Sequence, residues 1–226
     1  MRGVLALYQS TIGKKVVMAV TGLMLVGFIL GHMAGNLKIY QGAEKYDAYA
    51  AGLRELGKPL LGHYQAIWLA RLGLLAAVGL HIWSALSLTS ASRKARGTGY
   101  KKFDDVSMSY ASRTMRWGGV ILLAFIVYHL LHLTVGTVHR EFEYGAVYQN
   151  VVLAFQRWPV SVVYIVANLA LAMHLYHGIW SMTQTLSLTN NTILRVRRPL
   201  AAGIALVVLA GNISIPLSVM LGVISL

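Results

Sequence analysis

No cysteine occurs anywhere in the chain. Disulfides are therefore excluded, and so are thiolate ligands to zinc or iron–sulfur clusters, which leaves histidine, methionine or carboxylate for any metal chemistry. Acidic residues are nearly as scarce, seven against twenty Lys and Arg in 226 residues. All charged residues together make 12 % of the chain, half of the roughly 25 % usual in soluble globules. With 57 % hydrophobic residues there is too little polar surface for an ordinary soluble fold, and the chain reads as a membrane protein. Of the four prolines, Pro59 and Pro159 stand close to predicted helix starts, where a missing N–H is tolerated, and Pro216 predicts a kink in the last apolar run. Also missing are a dinucleotide fingerprint, a phosphate-binding loop and any large soluble segment, so the chain does not itself bind flavin in the usual way. No nucleic-acid partner is expected.

What is present is apolar length. Spanning the hydrocarbon core takes about 20 apolar residues, and five stretches reach it: about 16–37, 64–90, 113–138, 159–186 and 199–223. The expected fold class is all-α, one transmembrane domain over residues 1–226 built from five helices. The start, "MRGVLALYQSTIGKKVV", has no small-residue cleavage site after a short apolar core, so the first run is expected to be a retained span. Thirteen basic residues fall on one side of these spans: Arg2, Lys14, Lys15, Arg93, Lys94, Arg96, Lys101, Lys102, Arg113, Arg116, Arg195, Arg197 and Arg198. The other side holds Lys38, Lys45, Arg54, Lys58, Arg140 and Arg157, nearly balanced by Glu44, Asp47, Glu55, Glu141 and Glu143. The positive-inside rule then puts the N-terminus in the cytoplasm and the C-terminus outside.

Topology gives the histidines depths. His32 and His129 fall in the outer halves of spans one and three; His81 and His174 fall in the inner halves of spans two and four. Four helices thus each offer one imidazole, sorted into two pairs, which is the arrangement needed to hold two haems across a bilayer, each between two histidines. Ionisable side chains at such depth are costly and usually functional. His132 and His177 lie three residues beyond two of these histidines, share their faces and are the alternative ligands. His63 and His139 sit in outer loops, where a solvated histidine is ordinary. Gly27, Gly31 and Gly35 beside His32, Ala77 before His81, and Ala167, Ala170 and Gly178 around His174 would admit a flat macrocycle, or let helices pack closely. Arg71 is the one basic residue well inside a span, at about the depth of His32; a haem propionate or snorkelling to the interface would satisfy it. Arg116, Arg113 and Ser84 are comparable candidates near the inner pair. All seven carboxylates lie in loops, so the spans contain no Asp or Glu proton relay.

Four segments carry a family resemblance: "STIGKKVVMAVTGLMLVGFILGHMAGNL", "GLHIWSALSLT", "VYHLLHLT" and "MHLYHGIWS". The chain resembles the single-subunit, di-haem cytochrome b anchors of succinate dehydrogenases and fumarate reductases, and the resemblance runs through all five spans in order. The first segment and "HGIWS" are its most specific parts. It implies haem ligation by His32, His81, His129 and His174, and a multi-pass place in the cell's inner (cytoplasmic) membrane. It also implies partner flavoprotein and iron–sulfur subunits on the cytoplasmic face, with electrons exchanged with a quinone, menaquinone by family likeness. Family members that return protons through a membrane-embedded glutamate are not matched here. Direction, whether succinate oxidation or fumarate reduction, is not selected, and a higher oligomer is compatible.

A quinone site needs polar groups near a haem edge and access from lipid. The outer ends of spans one to three offer Asn36, His63, Tyr64, Gln65 and His132, favoured because a second haem is needed only if electrons cross the membrane. The inner alternative uses Ser10, Lys14 and Arg116. Two other classes compete with the haem reading: a membrane di-iron oxygenase, suggested by eight histidines and two H-x-x-H pairs, and a cofactor-free transporter with a histidine proton relay.

Overall fold

The Ser10 hydroxyl accepts a hydrogen bond from the Gly13 amide at 2.9 Å and so starts α1, Thr11–Asn36, five residues earlier than the apolar run alone predicts. This computed structural model describes residues 10–95, 110–188 and 190–226. Arg2, Arg96, Lys101 and Lys102 lie outside the described residues, and so does the side chain of Arg113. After α1 a tighter helical turn, Leu37–Gln41, leads to Gly42, whose φ of 93° suits glycine and begins α2, Ala43–Arg54. Then come α3, Gln65–Lys94, and α4, Tyr110–His129, which continues as a π-helical turn over Leu130–Val135. The chain closes with α5, Val147–Gln156; α6, Trp158–Thr185, with Pro159 in its first turn; and α7, Asn191–Met220.

Five of these helices are long and apolar enough to cross a membrane: α1, α3, α4 with its π turn, α6 and α7. Among the described residues there is no strand, and the chain is an all-α, multi-pass membrane bundle. Helix α7 begins eight residues before the predicted fifth span, because the Asn190 side chain caps it by accepting from the Ile193 amide at 2.8 Å. Arg195, Arg197 and Arg198 therefore ride on its first turns instead of lying in a loop. Pro199 and Pro216 are both inside α7.

Helices α6 and α7 form the most extensive pair, α1 leans on both, α3 packs on α1 and α4 on α6. Met33, Leu175, Ile179, Ala201, Ala205 and Val208 fill the seam between α1, α6 and α7. The Asn212 side-chain amide donates to Asn168 Oδ1 at 2.9 Å across that seam, a polar link between spans worth about 1 kcal/mol. By contrast α3 and α6 scarcely approach each other backbone to backbone, nor do α1 and α4. Only 11 % and 6 % of the most apolar windows of α3 and α4 are buried, against 39 % for α6. Their leucine-rich outer faces suit lipid, in which exposed apolar side chains cost nothing.

The two ends of the bundle differ. At one end α2 and α5, two short helices that apolar length does not predict, pack on each other over a core of Ile39, Tyr46, Val151, Val152, Phe155, Tyr164, Ile215, Val219 and Ile224. This is the capped end. The other, basic end carries Lys14, Lys15, Arg93, Lys94, Arg116, Arg195, Arg197 and Arg198 and has no such cover among the described residues.

Candidate functional site

His81 is at mid-height of α3, where it faces α1. Gly22 makes the room: a Cβ there would come within 3.3 Å of the His81 ring. The imidazole Nδ1 is 3.1 Å from the Met18 carbonyl and 3.3 Å from Thr21 Oγ1. A carbonyl only accepts, so Nδ1 carries the hydrogen and Nε2 keeps its lone pair. Thr21 fits this, because its own hydroxyl donates to the Val17 carbonyl at 2.7 Å and leaves oxygen lone pairs to accept. One ring nitrogen tied to backbone and the other left basic is how metal-ligating histidines are commonly prepared.

Across from it, on α6, the ring of His174 lies with its centre 6.3 Å from that of His81, the planes at 59°. His174 Nδ1 is buried without a hydrogen-bond partner, and so are His177 Nδ1 and Ser84 Oγ, each one helical turn further toward the basic end. His177 packs its ring on Trp180 at 5.1 Å.

The second pair belongs to α1 and α4: the ring centres of His32 and His129 are 5.9 Å apart, with the planes at 77°. Phe28 and Phe125 stack on their outer faces, at 5.2 and 5.8 Å. On α1, His32 is ten residues past Gly22, the level of His81, so the two pairs are about 15 Å apart along the bundle. The π turn re-aims the residues after His129, and His132 points into the protein beside Tyr164, its Nδ1 3.0 Å from the tyrosine hydroxyl. His129 Nδ1 reaches the same hydroxyl at 3.3 Å. A phenol has one hydrogen to give, so Tyr164 donates to one imidazole and accepts from the other; a His129 that ligates through Nε2 would be the one that gives its Nδ1–H to the hydroxyl, with His132 accepting.

These pairs fit haem. Two imidazoles that each bonded one metal ion through a ring nitrogen at about 2 Å would have their ring centres about 6 Å apart. Each pair bridges two helices that hardly touch, which leaves width between them. Cβ atoms added at Gly27 and Gly31 would meet nothing within 4 Å, so α1 presents a flat, open flank beside His32. Gly35 serves a different purpose: its Cβ would come 2.6 Å from the Tyr49 hydroxyl, so it admits α2 and not a macrocycle.

The other predicted residues are dispersed. Asn36 Oδ1 accepts from the Tyr46 hydroxyl at 3.2 Å. His63 contacts Glu55 and meets the Tyr64 ring edge to face at 4.0 Å, Tyr64 shares a 2.8 Å hydrogen bond with Tyr144, and Gln65 accepts from the Gly62 amide. His132 is buried among Tyr128, His139 and Tyr164. Arg71 lies over the ring of Trp68 at 5.0 Å. Arg116 lines a hollow at the basic end with Arg93, Trp117 and Val120. Ser10 caps α1 near Lys14.

One expectation is corrected: His139 is not a solvated loop residue. It is 5 % exposed, because the turn after the π segment folds it onto His132, ring centres 4.9 Å apart, and against Phe142. Burial first, and then Arg157, hold its pKa below the usual histidine value. Nearby, burial and Asp47 push the Tyr46 hydroxyl up to about 12, so it stays a hydrogen-bond donor to Asn36. Thr21 and Tyr164 are the side chains that sequence reading misses. Their only signal is a hydroxyl inside an apolar run, which many spans contain. Set against family models, curated proteins and solved structures, the chain finds no match.

Proposed function

We propose that the chain is the cytochrome b membrane anchor of a succinate:quinone oxidoreductase, holding one haem b between His32 and His129 and a second between His81 and His174. The observation that carries this reading is the pair of inter-helix imidazole contacts, 5.9 and 6.3 Å between ring centres, at two depths of one membrane bundle. Haem b bound there supplies reversible one-electron transfer between partner subunits and a membrane quinone.

The chain's own residues do the holding and tuning. Met18 and Thr21 fix His81 with Nε2 free, Tyr164 orients His129, and Phe28 and Phe125 stack on the rings of His32 and His129. The flavoprotein and iron–sulfur partners would dock on the cytoplasmic, basic end, whose arginines favour an acidic surface. A menaquinone would be handled at the capped end near Asn36, His63, Tyr64, Gln65 and His132. On this reading the protein sits in the inner (cytoplasmic) membrane, with Arg71 and Arg116 as further cofactor contacts and succinate oxidation or fumarate reduction as its working direction.

A reduced-minus-oxidised absorbance spectrum of the purified full chain tests the reading. Two b-type centres per chain are expected, each low-spin. A purified, folded chain without any haem absorbance would overturn it and leave the run of rings through His139, His132, Tyr164 and His129 as a cofactor-free proton relay.

A further inference from the structure

We infer that the hollow between the basic ends of α3 and α4 is a binding site for the phosphate of an anionic membrane lipid. It has a volume of about 300 Å³ and is lined by Arg93, Arg116, Trp117 and Val120. That is about ten times the share of one water molecule in the liquid, enough for a phosphodiester and its ester groups. Arg93 is in the last turn of the α3 span, while Arg116 and Trp117 open the α4 span, so the site lies at headgroup depth.

Charge and position decide the ligand. All five described carboxylates, Glu44, Asp47, Glu55, Glu141 and Glu143, belong to the capped end, so among the described residues neither guanidinium has an acidic partner. Two guanidinium forks facing one hollow match a phosphate, which each grips through paired N–H groups. Arg93 is twelve residues past His81, about 18 Å along α3, so the hollow extends well beyond the level of the inner histidine pair toward the headgroups. Trp117 is 75 % exposed and Val120 60 %, so the hollow opens outward, where a lipid tail can lie along α4. An indole at this depth is a usual headgroup neighbour, and basic pockets between spans are suited to anionic headgroups.

The test uses the full chain in nanodiscs of phosphatidylcholine containing a minor share of phosphatidylglycerol, with retained lipids counted by native mass spectrometry. The wild type is expected to keep phosphatidylglycerol in preference to phosphatidylcholine. R93Q/R116Q should retain it on the order of 30-fold more weakly, while R195Q, which removes a basic-end charge outside the hollow, should behave as wild type. Trp117→Glu, which sets a carboxylate in the hollow and leaves both arginines in place, should lose the lipid as well; it decides the matter if the double variant does not fold. Inorganic phosphate at millimolar concentration should not displace the lipid. Displacement by phosphate alone would mark a free-anion site and overturn the lipid assignment. Equal retention in R93Q/R116Q, or equal retention of phosphatidylcholine, would overturn the site itself, and so would a hollow that responds only to an added acidic protein.

Discussion

The capped end of the bundle pairs its charged groups within the chain, whereas the basic end carries cations with no acidic partner among the described residues; His139, with both ring nitrogens buried and no hydrogen-bond partner, is the polar group that the cap leaves unmet. At the capped end Glu141 pairs with Arg157 at 2.9 Å, Asp47 accepts from the Tyr148 amide at 2.8 Å, Glu55 contacts Lys58 and His63, and Asn150 both accepts from the Glu143 amide and donates to its carbonyl. At the basic end Ser84 Oγ, His177 Nδ1 and Arg197 Nε are buried without partners, and Arg93 and Arg116 face a hollow. Buried polar groups left unmet cost about 1–3 kcal/mol each. The same contrast runs through the histidine pairs: His129 is held by a tyrosine inside the outer core, while His174 has no hydrogen-bond partner at Nδ1.

The largest effect that would break this comparison is loss of a whole centre. H81A or H174A is expected to remove the haem toward the basic end, and H32A or H129A the one toward the cap, each halving haem content because a low-spin site needs both imidazoles. Haem assay with electron paramagnetic resonance separates the two signals. H132A and H177A should keep both haems; if either loses one instead, the pairing by ring contact is wrong.

Next in size is the cap itself. Phe155 is 5 % exposed between Tyr164 and the α5 core, and F155A should destabilise the capped end by about 3–5 kcal/mol through a cavity and lost packing. Hydrogen exchange should rise over Val147–Gln156 and the π turn and stay unchanged in the first half of α7. Uniform loss across both ends would show that the cap is not a separate unit.

The glycines on α1 sharpen the contrast on a smaller scale. Gly35→Ala drives a Cβ toward the Tyr49 ring and should cost about 1–3 kcal/mol. Gly27→Ala meets nothing and should be neutral, or gain up to about 1 kcal/mol from helix propensity. Thermal melts in detergent would compare them, and equal losses would mean that the four-residue spacing is a single packing stripe.

Much of this was legible in the sequence. Apolar length located all five spans, since a run such as 159–186 has no other stable place than lipid or a buried core, and the counting of half-spans assigned the depths at which His32 meets His129 and His81 meets His174. Span ends were less legible. Apolar length does not register the caps at Ser10 and Asn190, so α1 and α7 begin before their apolar runs. The cap was not legible, because α2, "AEKYDAYAAGLR", is too polar for a span and too short for a strong helical period; tertiary contact with α5 stabilises it. The spread of Asn36, Gln65 and His132 over separate contacts was invisible for the same reason, since loop residues close in sequence depth are sorted by the cap and not by span order.

The smallest effect concerns pH at the cap and follows from His139. Burial holds its folded pKa below the 6.5 of a free imidazole, so above pH 6.5 both folded and unfolded forms are neutral and the cap has its full stability. As pH falls below 6.5 the unfolded chain takes up a proton that the folded one resists, and stability drains away until the folded pKa is passed. Glu55 acts lower and with the same sign: Lys58, and then His63, hold its carboxylate below the ordinary 4.5, so its contribution is lost only as pH drops beneath that value. Hydrogen exchange over Val147–Gln156, measured from pH 7.5 to 5 and corrected for intrinsic rates, should therefore show protection falling from about pH 6.5 downward. His139→Phe keeps a ring against His132 and Phe142 but cannot titrate, and should flatten that profile. A wild-type profile already flat across this range would mean that His139 takes up its proton without opening the cap, and that this end of the bundle is indifferent to pH.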